Sequence, residues 1–407
     1  MKFQDYKIAD VLKDNLKSMG LKRPTDIQFK CIPPILKDED VLAIAQTGTG
    51  KTLAFALPLI HKIHRSKKNK SSDFVQAIVL APTRELALQL TEVFNQVEKH
   101  TRCKSLCLFG GVEQAGQIKS LLKGVDIVIA TPGRLFDLNA QGYLPFEKIR
   151  TLVLDEADHM LDLGFIKDIK DLNYKLPKGR QTLFFSATID PKIKKLAYSL
   201  IANNAIRIQI SPDNPVNKNI EHLVCHIPMD DKRFFLERLV NENPDSKILA
   251  FVRTRVRAER VKSAMDRVDI KSETLHGAKD QQSRLKTLND FKDGSFNLLI
   301  ATDVSARGID ISNVEIVVNY DLPEQAENYV HRIGRTGRGN EKGLAFSFCS
   351  KKEKELLESI EQFLGKKIEV LPLHKNHFMA TKKLHQQSQG NNEPTDWKSL
   401  IDEELKK

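Results

Sequence analysis

The stretch Ala45-Gln46-Thr47-Gly48-Thr49-Gly50-Lys51-Thr52 lies between an apolar run at 40–45 and a helix-like run at 53–63. Its glycines leave no Cβ that would hold backbone N–H groups away from an anion, and the helix that follows points the positive end of its dipole at the same place. Lys51 can reach the β- and γ-phosphates of a nucleotide, and Thr52 can place a hydroxyl on Mg²⁺. The alternative is a glycine-rich turn before an ordinary helix. Because a strand and a helix flank the stretch, we predict a phosphate cradle in an α/β fold.

Further apolar runs in the first half of the chain each end in a small, polar or charged turn. They lie at 77–80, 106–109, 126–130, 152–154 and 182–185. Helix-like stretches separate them, and nearly continuous apolar strands between helices indicate a parallel sheet with both faces covered. Such sheets bind ligands beyond the carboxyl ends of their strands, so we expect the turns to gather along one rim.

The proline- and asparagine-rich stretch at 211–219 separates this alternation from a second round of it. A chain of 407 residues exceeds the usual size of a single core. We therefore predict an N-terminal domain at 1–210, a linker at 211–219, a C-terminal domain at 220–370 and a polar tail at 371–407. The second domain has no phosphate cradle, so it must contribute something else.

The tail is rich in glutamine and asparagine, apart from four apolar residues at helical spacing, Trp397, Leu400, Ile401 and Leu405. This amphipathic piece is a candidate contact for the body of the protein or for a protein partner, and a loosely ordered tail is the alternative. For the oligomeric state we expect a monomer.

Composition excludes several classes of protein. Hydrophobic residues make up 41% and charged residues 29%, which is typical of a globular chain rather than a disordered one. The longest apolar stretches, such as 53–60, are too short to span a membrane, and no secretory signal is visible, so we expect no membrane contact. Five scattered cysteines suit a reducing cytoplasm, and Cys103 and Cys107 lack the second pair that a metal site would need. The net charge of +11 favours a polyanionic partner.

Two acids follow the run at 152–154. Asp155 can hold Mg²⁺ through its water, and Glu156 can orient and deprotonate an attacking water. The alternative is a pair of acids that cap the next helix, as Asp158 could do in any case. Phosphoryl transfer also needs positive charge around its transition state, which Arg335 and Arg338 could supply if the two domains close. Otherwise these arginines form a basic helix end that faces solvent.

Gln28 follows a Pro-Thr turn and enters a helix-like segment. Its amide can donate to and accept from the N6/N7 edge of adenine at once, as in base readout. A solvent-exposed glutamine on a helix is the alternative.

Taken together, these stretches resemble the DEAD-box ATP-dependent RNA helicases over roughly residues 3–350. In the first domain the matches are to the Q motif (20–28) and to motifs I (45–52), Ia (82–87), GG (110–111), Ib (131–134), the name motif (155–158) and III (186–188). In the second they are to motifs IV (250–254), QxxR (281–284), V (301–310) and VI (331–338). The sequence departs from the family where Leu21 replaces a common aromatic and Ser305 replaces the usual alanine or cysteine. The compact N-terminus and the surroundings of Arg332 to Lys342 are similar to the bacterial RhlE branch.

The resemblance implies two tandem RecA-like domains, each a mostly parallel sheet flanked by helices, with a cleft between them. It implies that Phe3 packs on the adenine of ATP and that Asp310 binds the ribose. The full set of implied ATP contacts is Phe3, Arg23, Gln28, Thr47, Gly48, Thr49, Gly50, Lys51, Thr52, Gly308, Asp310, Arg335 and Arg338. It implies Mg²⁺ at Thr52 and Asp155. It also implies that Arg335 and Arg338 act as arginine fingers and that residues 186–188 link hydrolysis to RNA binding. The full set of implied catalytic residues is Lys51, Asp155, Glu156, Ser186, Thr188, His331, Arg335 and Arg338.

RNA contacts implied in the same way lie in both domains, at Pro82, Thr83, Arg84, Gly110, Gly111, Thr131, Pro132, Gly133, Arg134, Arg253, Thr254, Gly277, Arg284 and Thr302. The expected activity is an RNA-dependent ATPase that unwinds short duplexes, or remodels RNA–protein complexes, by ATP-gated closure on single-stranded or duplex RNA. Two other classes stay open. One is a non-hydrolysing RNA clamp, which intact Lys51 and Glu156 oppose. The other is a DNA helicase or translocase, which usually lacks the Gln28 segment.

Overall fold

The computed structural model describes residues 1–46, 48–67, 74–189, 191–210, 216–306, 314–337 and 341–372. The chain divides into two compact units, Met1–Ser211 and Pro212–Lys407. The predicted linker lies partly outside the described residues, so the domain limits at 210 and 220 stay predictions.

Within the described part of the first unit, seven parallel strands form one sheet. They are β1 (Val41–Ile44), β2 (Ala77–Leu80), β3 (Ser105–Leu108), β4 (Ile127–Ala130), β5 (Thr151–Leu154), β6 (Gln181–Ser186) and β7 (Ile206–Gln209). The strand order is β3-β4-β2-β5-β6-β1-β7. Every residue of β1, β2, β4, β5 and β6 is buried, as expected for strands that helices cover on both faces.

Helices cover both faces of this sheet. One face packs on α1 (Asp10–Ser18), α2 (Asp26–Leu36), α3 (Lys51–Ser66) and α4 (Arg84–Glu98). The other packs on α5 (Ala115–Leu122), α6 (Pro132–Ala140), α7 (Ala157–Asp162), α8 (Ile166–Lys175) and α9 (Pro191–Leu200). A short 3₁₀-helix, Phe3–Asp5, opens the unit.

The second unit repeats this layout over its described residues. Its parallel strands are β8 (Ile220–His226), β9 (Ile248–Phe251), β10 (Ser272–Leu275), β11 (Leu298–Ala301), β12 (Ile316–Asn319), β13 (Gly343–Cys349) and β14 (Glu369–Val370). Their order is β10-β11-β9-β12-β13-β8-β14, so each strand occupies the same place as its counterpart in the first unit. The α/β architecture expected from the sequence, with two tandem parallel sheets flanked by helices, is confirmed.

On one face of the second sheet lie α10 (Lys232–Glu242) and α11 (Arg255–Asp266), and on the other α12 (Gln281–Lys292), α14 (Ala326–Ile333) and α15 (Lys354–Leu364). A short α13 (Asp303–Ala306) follows β11, and a 3₁₀-helix, Lys351–Glu353, precedes α15. Leu371, the first residue of the predicted tail, is buried, and its N–H donates to Val224 O over 2.9 Å, while the rest of the tail from 373 lies outside the described residues. Among the described helices, none has the length and apolar character that crossing a bilayer requires.

Candidate functional site

The predicted turns of the first unit do gather at the carboxyl edge of its sheet, and the strand order sorts them. The phosphate cradle, the acids at 155–156 and residues 186–188 follow β1, β5 and β6, which are adjacent. The turns at 81–84, 110–111 and 131–134 follow β2, β3 and β4, which are also adjacent. We call the first set of turns the phosphate half of the rim, because its groups suit a bound nucleotide. We call the second set the RNA half, because the family resemblance implies that these turns hold RNA.

The cradle has the backbone that its glycines allow. Gly48 and Gly50 have φ of 84° and 90°, in the left-handed region that side chains with a Cβ rarely adopt. Gly50 precedes the first residue of α3, Lys51, whose Nζ donates to Ala45 O over 2.9 Å. Thr52 is half-buried in the first turn of α3. Thr49 Oγ1 donates to Gln46 O over 2.7 Å, which closes the loop on itself. Thr47 lies outside the described residues.

Helix α2 braces the cradle from outside. Thr25 Oγ1 donates to Thr49 O over 2.8 Å, and Gln28 Nε2 donates to Gly50 O over 3.0 Å. Gln28 Oε1 accepts the Thr25 N–H over 3.0 Å. A Cβ at Gly50 would collide with Gln28 Nε2, so glycine is needed there for the close approach. The alternative of an exposed glutamine is wrong, since Gln28 is 5% exposed and both ends of its amide bind the chain itself.

Phe3 and Arg23 differ in how open they are. Phe3 is 2% exposed, its ring packs near Tyr6 at 6.2 Å between centroids, and its N–H donates to Lys22 O over 3.3 Å. Its ring is therefore enclosed by the first unit in this structure, and the expected packing on adenine stays a prediction. Arg23 is exposed.

The two acids after β5 have unusual environments. Burial raises the pKa of the Asp155 carboxyl to about 7, against the opposing charge of Lys51. Asp155 Oδ1 accepts the Glu156 N–H over 3.1 Å. Glu156 has φ 51° and ψ 52°, a left-handed conformation that costs a non-glycine residue about 1–3 kcal/mol. Its Oε2 lies 3.4 Å from His159 Nδ1. The fold thus spends stability to hold these two carboxylates in place, which is common at functional sites.

Asp158 connects β5 to the turn after β6. Its Oδ2 accepts the N–H groups of Ala187 and Thr188 over 3.0 and 3.1 Å and the Thr188 hydroxyl over 3.3 Å. Ser186 is fully buried, and its Oγ accepts the Thr188 N–H over 3.4 Å. The other carboxylate oxygen of Asp158, Oδ1, accepts the His159 N–H over 3.1 Å in the first turn of α7, so Asp158 binds the start of this helix as expected, although Glu156 occupies the N-cap position.

In the other half of the rim, glycines make room for an arginine. Arg84 begins α4 after the N-cap Thr83, whose Oγ1 accepts the Leu86 N–H over 3.3 Å. A Cβ at Gly111 would collide with the Arg84 guanidinium, which therefore lies against the Gly110–Gly111 turn. Arg84 and Thr83 are half-buried and Gly111 is exposed, whereas Pro82 is buried.

Arg134 has a structural position rather than an open one. It is 8% exposed, and its two terminal nitrogens donate to Gln117 Oε1 over 3.0 Å and Val112 O over 2.9 Å. The expected RNA contact through this side chain is not available, because the guanidinium ties α6 to the Gly110–Gly111 loop. Beside it, Thr131 is half-buried, Pro132 is buried and Gly133 is exposed at the start of α6.

The second unit places its implied RNA residues after the corresponding strands. Thr254 follows β9 as an N-cap whose Oγ1 accepts the Arg257 N–H over 3.2 Å, the same arrangement as Thr83. Gly277 follows β10 and is exposed. Thr302 follows β11 but is 9% exposed and donates to Ser305 Oγ over 3.4 Å, so it does not face outward. Arg253 is exposed, 3.6 Å from Glu353, and Arg284 is half-buried in the first turn of α12.

The arginines at 332 and 335 have different settings. Arg332 is 2% exposed and forms a bidentate pair with Asp303 at 2.6 and 2.7 Å, while its Nη1 donates to Asp321 O over 2.7 Å. Arg335 is 4% exposed, and its Nε donates to the carbonyl of half-buried His331 over 3.3 Å. Arg332 therefore anchors the segment that carries His331 and Arg335. Arg338, Gly308 and Asp310 lie outside the described residues.

A buried lysine occupies the start of α10 in the second unit. Lys232 is 0% exposed, and its Nζ lies 2.6 Å from Glu353 Oε2 and donates to Tyr320 O over 2.7 Å. Glu353 is 2% exposed and also accepts the Ser350 hydroxyl over 2.7 Å. The pair is thus fully enclosed and hydrogen-bonded.

The two units match different family models. Residues 25–196 match the DEAD/DEAH box helicase family, and residues 231–340 match the helicase conserved C-terminal domain. The chain is 39% identical over 367 residues to the DEAD-box ATP-dependent RNA helicase CshA of Bacillus licheniformis, which covers 90% of this chain and 74% of that protein. The chain belongs to the DEAD-box ATP-dependent RNA helicases. CshA of Bacillus subtilis is 38% identical, over 90% of this chain and 73% of that protein.

Solved structures of DEAD-box helicases have the same fold. Saccharomyces cerevisiae Dbp5 bound to RNA and ADP BeF3 aligns with a TM-score of 0.82 and 31% identity, over 94% of this chain and 99% of that one. As a DEAD-box helicase the protein is an RNA-dependent ATPase that unwinds RNA, and neither a non-hydrolysing clamp nor a DNA helicase is favoured. The likeness to the RhlE branch stays a prediction, since these bacterial relatives carry the name CshA.

Sequence reasoning about this DEAD-box helicase missed three side chains that hold the site together. Thr25 and Asp158 join segments distant in sequence, and Arg332 anchors the last helix of the motif VI segment. The signal available for Asp158 was its place at the end of a buried strand beside two acids. Thr25 and Arg332 lie within matched motifs, but only their three-dimensional partners reveal what they bind.

Proposed function

We propose that this helicase separates short RNA duplexes by closing its two domains around ATP and single-stranded RNA, so that hydrolysis depends on both ligands. The observation that supports the proposal is that the cradle and the acids follow one set of adjacent strands, whereas the turns implied to hold RNA follow another set. Asp158 belongs to the first half and links its two acids to the 186–188 turn. Each ligand would favour the closed state and so strengthen the binding of the other.

In the phosphate half, Lys51 and the N–H groups of Gly48–Thr52 would hold the phosphates, with the dipole of α3 behind them. Glu156 would orient and deprotonate the attacking water, with His159 fixing its carboxylate. Thr47, Gly308 and Asp310 keep the nucleotide roles that the family implies. Arg335 and Arg338 would stabilise the charge that develops on the transferred phosphoryl group once the domains close.

The oxygen donors of the site fit Mg²⁺. Asp155 is a buried carboxylate with a raised pKa, its Oδ2 accepts no hydrogen bond from the described residues, and Thr52 offers a hydroxyl at the start of α3. When bound, Mg²⁺ would neutralise charge on the β- and γ-phosphates. Asp155 would hold the ion through water, and its ionised form would be favoured by the added positive charge.

In the RNA half, contacts would come from exposed backbone and from Arg84 rather than from Arg134. The N-terminus of α6 and the Gly110–Gly111 turn supply N–H groups suited to phosphate, and Thr83 and Thr254 lie at matching positions in the two units. Phosphate and sugar contacts position a strand without reading its sequence. Duplexes of many sequences would therefore be substrates.

We also propose a monomer in the cytoplasm that makes no membrane contact. The five cysteines are all unpaired thiols, four of them buried, which suits a reducing compartment. The tail is the candidate contact for protein partners, because its apolar face has the spacing of an amphipathic helix.

The test is steady-state ATP hydrolysis without nucleic acid, with single-stranded RNA and with the matching DNA. We expect strong stimulation by RNA and little by DNA. Glu156→Gln should abolish turnover while keeping ATP and RNA bound, because only the base is removed. Glu147→Gln, at an exposed glutamate of the same unit, is the matched control and should hydrolyse ATP normally. Turnover that ignores nucleic acid, or that survives in Glu156→Gln, would contradict the proposal.

A further inference from the structure

An arginine-rimmed groove of about 750 Å³ runs along the outer side of α11, beside the start of α10. Its apolar lining comprises Met229, Val256, Val261, Ala264 and Tyr320. Four arginines that stand around this lining are exposed, namely Arg233, Arg255, Arg260 and Arg267. The groove lies on the face of the second sheet opposite to α12, α14 and α15, away from the elements that carry motif VI.

The rim charge is largely unneutralised by the protein. Arg255, Arg260 and Arg267 make no side-chain hydrogen bond or ion pair with any described residue. Of the carboxylates that line the groove, Glu259 is already held by Thr274 Oγ1 over 2.7 Å and His276 Nε2 over 2.6 Å. Five arginines and two carboxylates, Asp230 and Glu259, line the groove, so an excess of positive charge remains.

An occupant of the groove needs apolar side chains as well as negative charge, because part of the lining is apolar. Val256 is 53% exposed in the middle of the basic rim. A phosphate backbone would satisfy the arginines but leave this apolar strip uncovered. An acidic amphipathic helix would meet both needs, because its apolar side chains cover the strip while its carboxylates pair with the arginines.

The chain itself contains such a segment. Residues 393–405, which lie outside the described residues, read EPTDWKSLIDEEL. They combine Trp397, Leu400, Ile401 and Leu405 at helical spacing with five carboxylates and one lysine. We propose that residues 393–405 dock in the arginine-rimmed groove of the same molecule, with Trp397 and Leu400 on the apolar lining and the carboxylates on the rim.

The place where the described chain ends supports docking within one molecule. Leu371 packs in the same hydrophobic cluster as Val261, Ala264 and Tyr320, so the chain leaves the body on the face that bears the groove. A random coil as long as residues 373–396 spans roughly 25–30 Å end to end. Such a tether gives an effective concentration in the millimolar range, so even a weak contact would be populated. A protein partner of the tail would then have to displace it from the groove.

Trp397 is the only tryptophan of the chain, so its fluorescence reports on the tail directly. In the full-length protein we expect a blue-shifted emission maximum and reduced quenching by acrylamide, compared with a synthetic peptide of residues 391–407. Arg260→Glu/Arg267→Glu should move both readouts to the values of the peptide, since it reverses the charge of the rim. Lys286→Glu/Lys292→Glu on α12, which covers the opposite face, makes the same change in net charge and should leave them unchanged.

A charge swap tests the pairing itself. Adding Glu403→Lys/Glu404→Lys to the Arg260→Glu/Arg267→Glu protein should restore the blue shift and the protection. Peptide-like emission in the unmodified full-length protein would overturn the proposal, as would emission that is indifferent to the rim variant. Protection that rises with protein concentration, together with a dimer in light scattering, would place the tail on a second copy and also refute docking in cis. Loss of RNA affinity in the rim variant without any change in Trp397 emission would assign the groove to nucleic acid instead.

Discussion

Substitution of Gln28 tests whether this residue of the Q motif recognises the adenine base or stabilises the phosphate cradle. In the structure its Nε2 donates to Gly50 O and its Oε1 accepts the Thr25 N–H, both over 3.0 Å. Gln28→Glu keeps the shape and the acceptor but replaces the donor by a carboxylate oxygen that faces the Gly50 carbonyl. Losing a buried hydrogen bond in this way costs about 1–3 kcal/mol. If that energy holds the cradle in its binding conformation, the affinity for a triphosphate falls by roughly 5- to 150-fold.

The assay is equilibrium binding of ATP, GTP and UTP to the wild type and the variant. Bracing predicts that all three affinities fall by a similar factor, because the cradle holds the phosphates common to them. Thr25→Val removes the 2.8 Å bond to Thr49 O and the side-chain half of the capping box of α2, and it should also lower all three affinities by a similar factor. If Gln28→Glu instead lowers only the affinity for ATP and leaves the affinities for UTP and GTP unchanged, Gln28 does not stabilise the cradle and its amide acts on adenine alone.

Two further predictions concern stability, and amide hydrogen exchange of strand peptides can follow each unit separately with the other as internal control. Lys232→Met should destabilise the second unit by up to about 3–5 kcal/mol, since it removes the buried cation of Glu353 and leaves only the exposed Arg253 3.6 Å away; the added change Glu353→Leu should recover most of the loss, and no recovery would count against the pair. Burial lowers the pKa of His61 to about 4, and its Nδ1 accepts the Ala9 N–H over 3.1 Å. Stability from this neutral imidazole is complete above pH 6.5 and is lost as the pH falls toward 4, by up to about 3 kcal/mol. His61→Gln should flatten that acid sensitivity of the first unit, and an unchanged pH profile would show that His61 is not its source.

What the sequence could predict was local. The cradle follows from Gly48, Gly50 and Lys51 between a strand and a helix, and the gathering of turns at one rim follows from the rule for parallel sheets. The strand positions were also recoverable, because strands buried on both faces are continuous apolar runs.

What the sequence could not predict was which polar side chains turn inward. Arg134 is buried because Val112 and Gln117, on a different loop and helix, accept its hydrogen bonds. Gln28 is buried because α2 packs beside the cradle, and Phe3 is enclosed by the first unit's core. Strand β14 has two exposed residues, too few for any period to be visible. In each case the deciding partner is far away along the chain.

In each unit a lysine begins the helix that follows the first strand. These two lysines have different partners. Lys51 begins α3 after β1, donates to the Ala45 carbonyl and interacts electrostatically with the Asp155 carboxylate, whereas Lys232 begins α10 after β8 and is enclosed with Glu353. The second unit thus carries a built-in counter-anion, Glu353, at the lysine that corresponds to Lys51 of the first unit. A carboxylate that is part of the fold cannot dissociate, so this position stays occupied throughout every turnover. We therefore expect one nucleotide to bind per chain.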